Sequence, residues 1–192
     1  MTQFHLSTVL SRLYLLLLLA CCSSCGQKAV VPAIVSTPYT STDGNLTVDF
    51  PAPFKVDTQR SDTAVGEIVI ELATCEFNDS ALSTASTLYP FDADEFDAVE
   101  SLEGAVEGVI RSCNGSLLKS YPLELNGMPG QEGVVHVQDN IYYRYRIVVN
   151  GKTPSLYIVQ VVGKKAWVQS ETMSAFIESM QVPDNKVSSP AE

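Results

Sequence analysis

The side chains of this 192-residue chain best suited to chemistry are its five cysteines, two histidines and an excess of carboxylates. Cys21, Cys22 and Cys25 cluster near the N-terminus, and Cys75 and Cys113 lie in the body of the chain. Cys22-Ser23-Ser24-Cys25 has the spacing of a redox pair or of half a metal site, but no second such pair follows it. His136 falls on one strand face with Glu132 and Val134. It reads either as half of a Glu–His pair or as a half-exposed structural histidine. Nucleophilic catalysis needs a nucleophile, a base and an orienting group within reach. The sequence contains no G-x-S-x-G elbow, no Walker loop and no dinucleotide fingerprint. One histidine and two cysteines in the body are too few for the usual zinc cage. We therefore expect no catalytic residue, no metal site and no cofactor.

Cys21 is the thiol with the clearest chemistry. It follows Leu18-Leu19-Ala20 near the end of an apolar run from Leu13 to Cys22. Residues 1–12 carry one fixed positive charge, Arg12, and no acid. A membrane-spanning helix needs ~20 apolar residues, whereas this run has the length of a signal-peptide core. Leu18 to Cys21 resembles the bacterial lipobox. That resemblance implies a thioether from the Cys21 sulfur to diacylglycerol, cleavage after Ala20, and acylation (palmitate) of the new amine. Each buried methylene contributes ~0.8 kcal/mol and one myristoyl chain is marginal, so two or three chains make release slow. Plain secretion with unmodified thiols is the other reading. Cys22 and Ser23 supply no acidic retention signal, which points to the outer membrane where the cell has one.

Cleavage would remove Arg12, so the formal charge of the mature chain is one unit more negative than the −10 of the whole. Nucleic-acid binding needs clustered Lys and Arg, so no nucleic-acid partner is expected. A basic partner surface, a cation or simple solubility fits the acidity. Asp92, Asp94, Glu95, Asp97, Glu100, Glu103 and Glu107 fall together with no base among them. They read as a cation site or acidic docking face, or as a solvated helix face whose acids favour the positive N-terminal end.

Hydropathy divides the chain into a signal peptide (1–20), a lipidated tether (21–42), one domain (43–182) and a disordered tail (183–192). Within the domain, Leu46 to Phe50 alternates as a half-buried strand does. Gly66 to Phe77 is a longer strand, with Ile68, Ile70 and Leu72 on one face and Glu67 and Glu71 on the other. Ser83 to Tyr89 is a third. From Ala93 to Cys113 apolar residues recur at three- and four-residue steps, the stripe of an amphipathic helix. Asp92 is its expected N-cap, with Glu95 completing a capping box. Strands return over 116–125, 130–138 and 141–149. Leu156 to Val162, apolar on both faces apart from Gln160, is the expected central strand. A last helix covers about 168–180, capped by Ser170. The predicted class is α+β, an antiparallel sheet flanked by helices in an α/β/α sandwich.

Two further constellations follow. Cys75 and Cys113 are a candidate disulfide in an oxidising envelope, or two free thiols. Tyr142, Arg144 and Arg146 share one strand face. They form a candidate partner or ligand face through bidentate arginine contacts, or they pair across the sheet with local glutamates.

Several stretches resemble PsbP-like and DcrB-like bacterial domains. Asp43-Gly44-Asn45-Leu46-Thr47-Val48-Asp49-Phe50-Pro51 resembles their opening turn and strand, and Thr63-Ala64-Val65-Gly66 the lead-in to their second strand. Leu125-Asn126-Gly127-Met128-Pro129-Gly130-Gln131-Glu132 resembles their loop of the form Leu-Asn-Gly-x-Pro-Gly-x-Glu. The resemblance covers nearly all of 46–182 and implies a sheet sandwiched by helices. It supplies no catalytic residue, because relatives of this fold are mostly non-catalytic. The resulting expectation is a lipid-anchored, non-enzymatic envelope protein facing the periplasm. It would be held to the membrane by its lipid and bind or scaffold an envelope protein partner. The alternative is a small-ligand or cation-binding module.

Overall fold

A computed structural model describes residues 36–63 and 66–183. The Cys21 motif, the Cys22–Cys25 pair and all but the first residue of the expected tail lie outside the described residues. Two short strands come first, β1 (Thr37–Thr40) and β2 (Thr47–Phe50), paired as an antiparallel hairpin. Then follow β3 (Lys55–Thr63), β4 (Gly66–Phe77), β5 (Ser80–Leu88), α1 (Ala98–Ser112), β6 (Ser116–Leu125), β7 (Met128–Gln138), β8 (Ile141–Asn150) and β9 (Ser155–Lys164). The short α2 (Lys165–Val168) and α3 (Glu171–Glu178) close the fold. β3 to β9 form one seven-stranded sheet in the order β3-β4-β5-β9-β8-β7-β6, antiparallel throughout. β9 is its central strand, as its apolar faces predict.

Each face of the sheet carries its own core. On one, the β1–β2 hairpin and α3 pack over Ala73, Leu82, Val148, Tyr157, Val159 and Val161. On the other, Leu102 and Val106 of α1 pack over Val135, Tyr143, Tyr145, Ile147 and Val149. The alternation of β8 therefore sorts its side chains between two cores rather than between core and solvent. Gly133 of β7 makes room for this packing. A Cβ there would lie 2.3 Å from the Tyr145 hydroxyl oxygen, and Tyr145 is fully buried.

Four expectations change. The domain begins before residue 43, because β1 lies within the expected tether. Tyr39 is buried, and its ring meets those of Phe50 at 6.2 Å and Phe54 at 5.5 Å, both edge-on. One aromatic beside Pro38 shows no periodicity, so the strand is silent in the sequence. β3 is equally silent, since all nine of its residues are exposed. It is an edge strand whose charges, Lys55, Asp57, Arg60 and Asp62, keep its free side from pairing further. α1 starts at Ala98, not Ala93. Asp97 is its N-cap, its Oδ1 accepting from the amides of Val99 (2.8 Å) and Glu100 (3.0 Å). Asp92 closes only one turn, through its carbonyl and the Glu95 amide. That turn leaves Phe96 free to stack on Tyr89 and Phe91. The last helix is shorter than expected and preceded by α2, although Ser170 does cap it through the Met173 amide.

Candidate functional site

Tyr142, Arg144 and Arg146 do share a face of β8, on the α3 side of the sheet. Arg146 lies directly across from Glu132 of β7. Glu132 Oε1 accepts from Arg144 Nε (3.0 Å) and Nη2 (2.8 Å). Its Oε2 accepts from Arg146 Nε (3.2 Å) and Nη2 (2.8 Å). Arg144 Nη1 donates to Ser174 Oγ of α3 at 2.9 Å. The three charged side chains are only 14, 18 and 19% exposed (Arg144, Glu132, Arg146). Burial pushes the Glu132 carboxyl up, but hydrogen bonds from Arg146 and Arg144, with their charges, outweigh it and hold the group below its ordinary value. Both arginines are thus engaged by one shared glutamate. The Tyr142 ring lies tilted against that of His136, with centroids 5.1 Å apart, and Lys165 Nζ lies 5.7 Å from the Tyr142 ring centroid.

Glu132 is therefore committed to arginine and does not pair with His136. The imidazole Nε2 instead lies 3.0 Å from the Asp139 carbonyl oxygen. The disulfide expectation is also corrected. Cys75 and Cys113 are free, and the sheet separates them. Cys75 belongs to the core under the β1–β2 hairpin, with its thiol directed to the Ala52 carbonyl. Cys113 packs in the core under α1 and donates to the Val109 carbonyl. Two cysteines on opposite faces cannot satisfy the Cα separation of up to ~7 Å that a disulfide requires. Among the described residues no three His, Cys, Asp or Glu side chains gather as metal ligands. The acidic run supplies the helix cap and the outer face of α1. No described helix is long and apolar enough to cross a membrane.

A third region was not legible beforehand. Thr58, Glu71 and Ser86 stand directly opposite one another across β3, β4 and β5, under the turn that joins β1 to β2. Beside them runs a second row, Arg60, Val69 and Leu88. Together with Thr42 and Asp43 of the turn they line a cleft of about 370 Å³. Glu71 is buried, its Oε1 accepting from the Tyr39 hydroxyl at 2.6 Å and the Thr42 amide at 3.0 Å. Burial, then the hydrogen bond and charge of Glu71, push the Tyr39 phenol far above its ordinary value. Strand alternation correctly sets Glu67 and Glu71 opposite Ile68, Ile70 and Leu72. It also suggests a solvated face for them. The missing signal is β1, which pairs with β2 to roof that face and has too few apolar residues to announce itself.

No family model matches the sequence, and no curated protein matches it. Among solved structures, cyanobacterial PsbP (CyanoP) from Synechocystis sp. PCC 6803 aligns with a TM-score of 0.51 at 14% identity, over 83% of this chain and 99% of that one. The fold is PsbP-like. A protein of unknown function from Pseudomonas aeruginosa, PA94, aligns more loosely, with a TM-score of 0.33 at 12% identity over 69% of this chain and 85% of that one. The PsbP-like body is mixed α+β, its seven-stranded antiparallel sheet packed against a few helices. At such low identity the likeness is one of fold alone.

Proposed function

We propose that this protein is a lipid-anchored domain of the cell envelope that performs no chemistry of its own and binds another protein there. Its anchor is Cys21, acylated after cleavage behind Ala20, and it faces the periplasm, on the outer membrane where the cell has one. The partner is a protein rather than a nucleic acid, given the acidic balance of the chain.

The observation that carries the binding half is the free edge of the sheet at β6. Among the described residues this strand pairs with β7 alone, and it exposes Leu117, Leu118 and Tyr121. Leu117 stands opposite Val135 on the α1 side and Tyr121 opposite Glu132 on the α3 side, so a partner that covers these exposed apolar side chains grips the edge from both faces. A bulge between Leu117 and Lys119 breaks the regular ladder, and Pro122 has no N–H to offer. Contact is therefore made by side chains more than by an added strand. A photo-reactive residue in place of Leu118 is expected to give a discrete protein adduct in living cells. The same probe in place of Val99, exposed on α1, serves as the control and should stay unlinked. Equal labelling at both positions, or none at residue 118, would count against the proposal. The cleft around Glu71 favours a second reading, a small-ligand module.

A further inference from the structure

We propose that the strip of sheet between α3 and the β6 edge receives an extended, carboxylate-rich segment of the partner protein. The proposal rests on the partner-binding reading above and gives that partner a chemistry.

Register sets the strip. On the α3 side of the sheet, Lys119, Val134 and Arg144 form one row across β6, β7 and β8, and Tyr121, Glu132 and Arg146 form the next. α3 packs mainly on β2 and β9, and α2 on β8 and β9. Val134 and His136 of β7 therefore stay half-buried, and Lys119 and Tyr121 of β6 exposed. Lys165 of α2 reaches the same side, its Nζ over the Tyr142 ring.

The charge here runs against that of the chain. Acids outnumber bases 22 to 12 overall, yet Lys119, Arg144, Arg146 and Lys165 gather around one carboxylate, Glu132. That carboxylate balances only one of its two arginines. The three side chains are each less than a fifth exposed, so one unmatched positive charge is held largely out of water, which is costly until an anion approaches. The unused donor is on Arg146. Its Nε and Nη2 donate to Glu132, whereas its Nη1 has no partner among the described residues. Arg144, by contrast, commits its Nη1 to Ser174. Lys119 and Lys165 form no ion pair among the described residues either. The acids bordering the strip, Asp139, Glu171 and Glu178, are exposed, where water and salt shorten their reach.

An extended segment fits the spacing. Alternate residues of a strand lie ~7 Å apart on one face, so the two rows are separated by about that distance. A segment laid along β7 repeats its own side chains at the same interval. Acids at alternate positions would then meet successive rows, with arginine gripping a carboxylate two-pronged and lysine acting as a point charge. Tyr121, 54% exposed, joins this strip to the apolar edge patch.

Fluorescence anisotropy of the full-length protein in detergent tests this. The probe is a labelled short peptide of alternating Glu and Ser, with alternating Gln and Ser as its uncharged counterpart. The expected result is saturable binding of the acidic peptide, weakening as salt rises, and none of the neutral one. Lys119→Glu and Lys165→Glu change exposed side chains and should each weaken binding about fivefold or more. Lys55→Glu makes the same charge change on the far edge strand and should leave binding nearly unchanged. Absence of saturable binding, an equal loss in Lys55→Glu, or displacement by inorganic phosphate beyond that by chloride at equal ionic strength would overturn the proposal. The residue-118 adduct keeps the two readings apart. An adduct without peptide binding removes the acidic segment alone, whereas peptide binding without an adduct removes the envelope partner at the edge and leaves the strip as an acidic-peptide site.

Discussion

Replacing Glu132 with alanine is expected to destabilise the folded protein by about 3–5 kcal/mol, the cost of stranding a buried charge by removing its partner. Here one carboxylate serves two guanidinium groups, and neither has another anion among its hydrogen-bond partners in the described residues. Alanine would leave Arg144 with Ser174 alone, and Arg146 with no partner for its Nε or Nη2. Total stabilities of single domains are about 5–15 kcal/mol, so much of the reserve disappears. Urea unfolding of wild type and variant measures the difference. Its pH dependence has a definite sign. The Glu132 carboxyl sits below its ordinary value of 4.5 when folded. Its contribution is complete above that value and is lost as pH falls through the lower, folded one. The gap between wild type and Glu132→Ala should therefore narrow in acid. A loss under 1 kcal/mol at neutral pH would mean that the two arginines find other partners.

Phe50→Ala is expected to cost a similar amount, about 3–5 kcal/mol, for a different reason. Phe50 is fully buried at the junction of the β1–β2 hairpin with α3. Its ring centroid lies 4.9 Å from those of both Phe54 and Phe176, and 6.2 Å from that of Tyr39. Truncation removes apolar contact and leaves a cavity bounded by three aromatic rings, which cannot all collapse inward. The same change should loosen the hairpin and release Tyr39 from Glu71. Hydrogen exchange would show this as faster exchange at Thr42, whose amide donates to Glu71. A small loss of stability with unchanged exchange would show that the hairpin is an ornament rather than part of the core.

Sequence patterning reveals the central sheet and both main helices because those elements bury regular stripes. β8 is the clearest case: its alternation separates Tyr143, Tyr145 and Ile147 from Tyr142, Arg144 and Arg146, and the structure keeps that division. The elements that patterning misses bury almost nothing of their own. β3 is exposed throughout, and β1 contributes the single buried ring of Tyr39. Without β1 the Glu71 cleft has no roof, so it is invisible even though Val69, Glu71, Ser86 and Leu88 of its floor fall in recognised strands. Cys75 and Cys113 illustrate the converse failure. Cys113 lies on the apolar stripe of α1 and Cys75 on the Glu67 and Glu71 face of β4, yet patterning does not say which side of the sheet either face will cover, and these two cover opposite sides. The Arg–Glu–Arg arrangement was half legible. Spacing places both arginines together, but their shared glutamate depends on the register of β7 against β8.

The account as a whole depends on how the chain is held at the membrane. The most direct measurement is the intact mass and N-terminal peptide of the protein recovered from membranes of its native cell. The account predicts a chain that begins at Cys21 and is heavier by a diacylglycerol and one further acyl group. A water-soluble protein with an unmodified Cys21 thiol would contradict it.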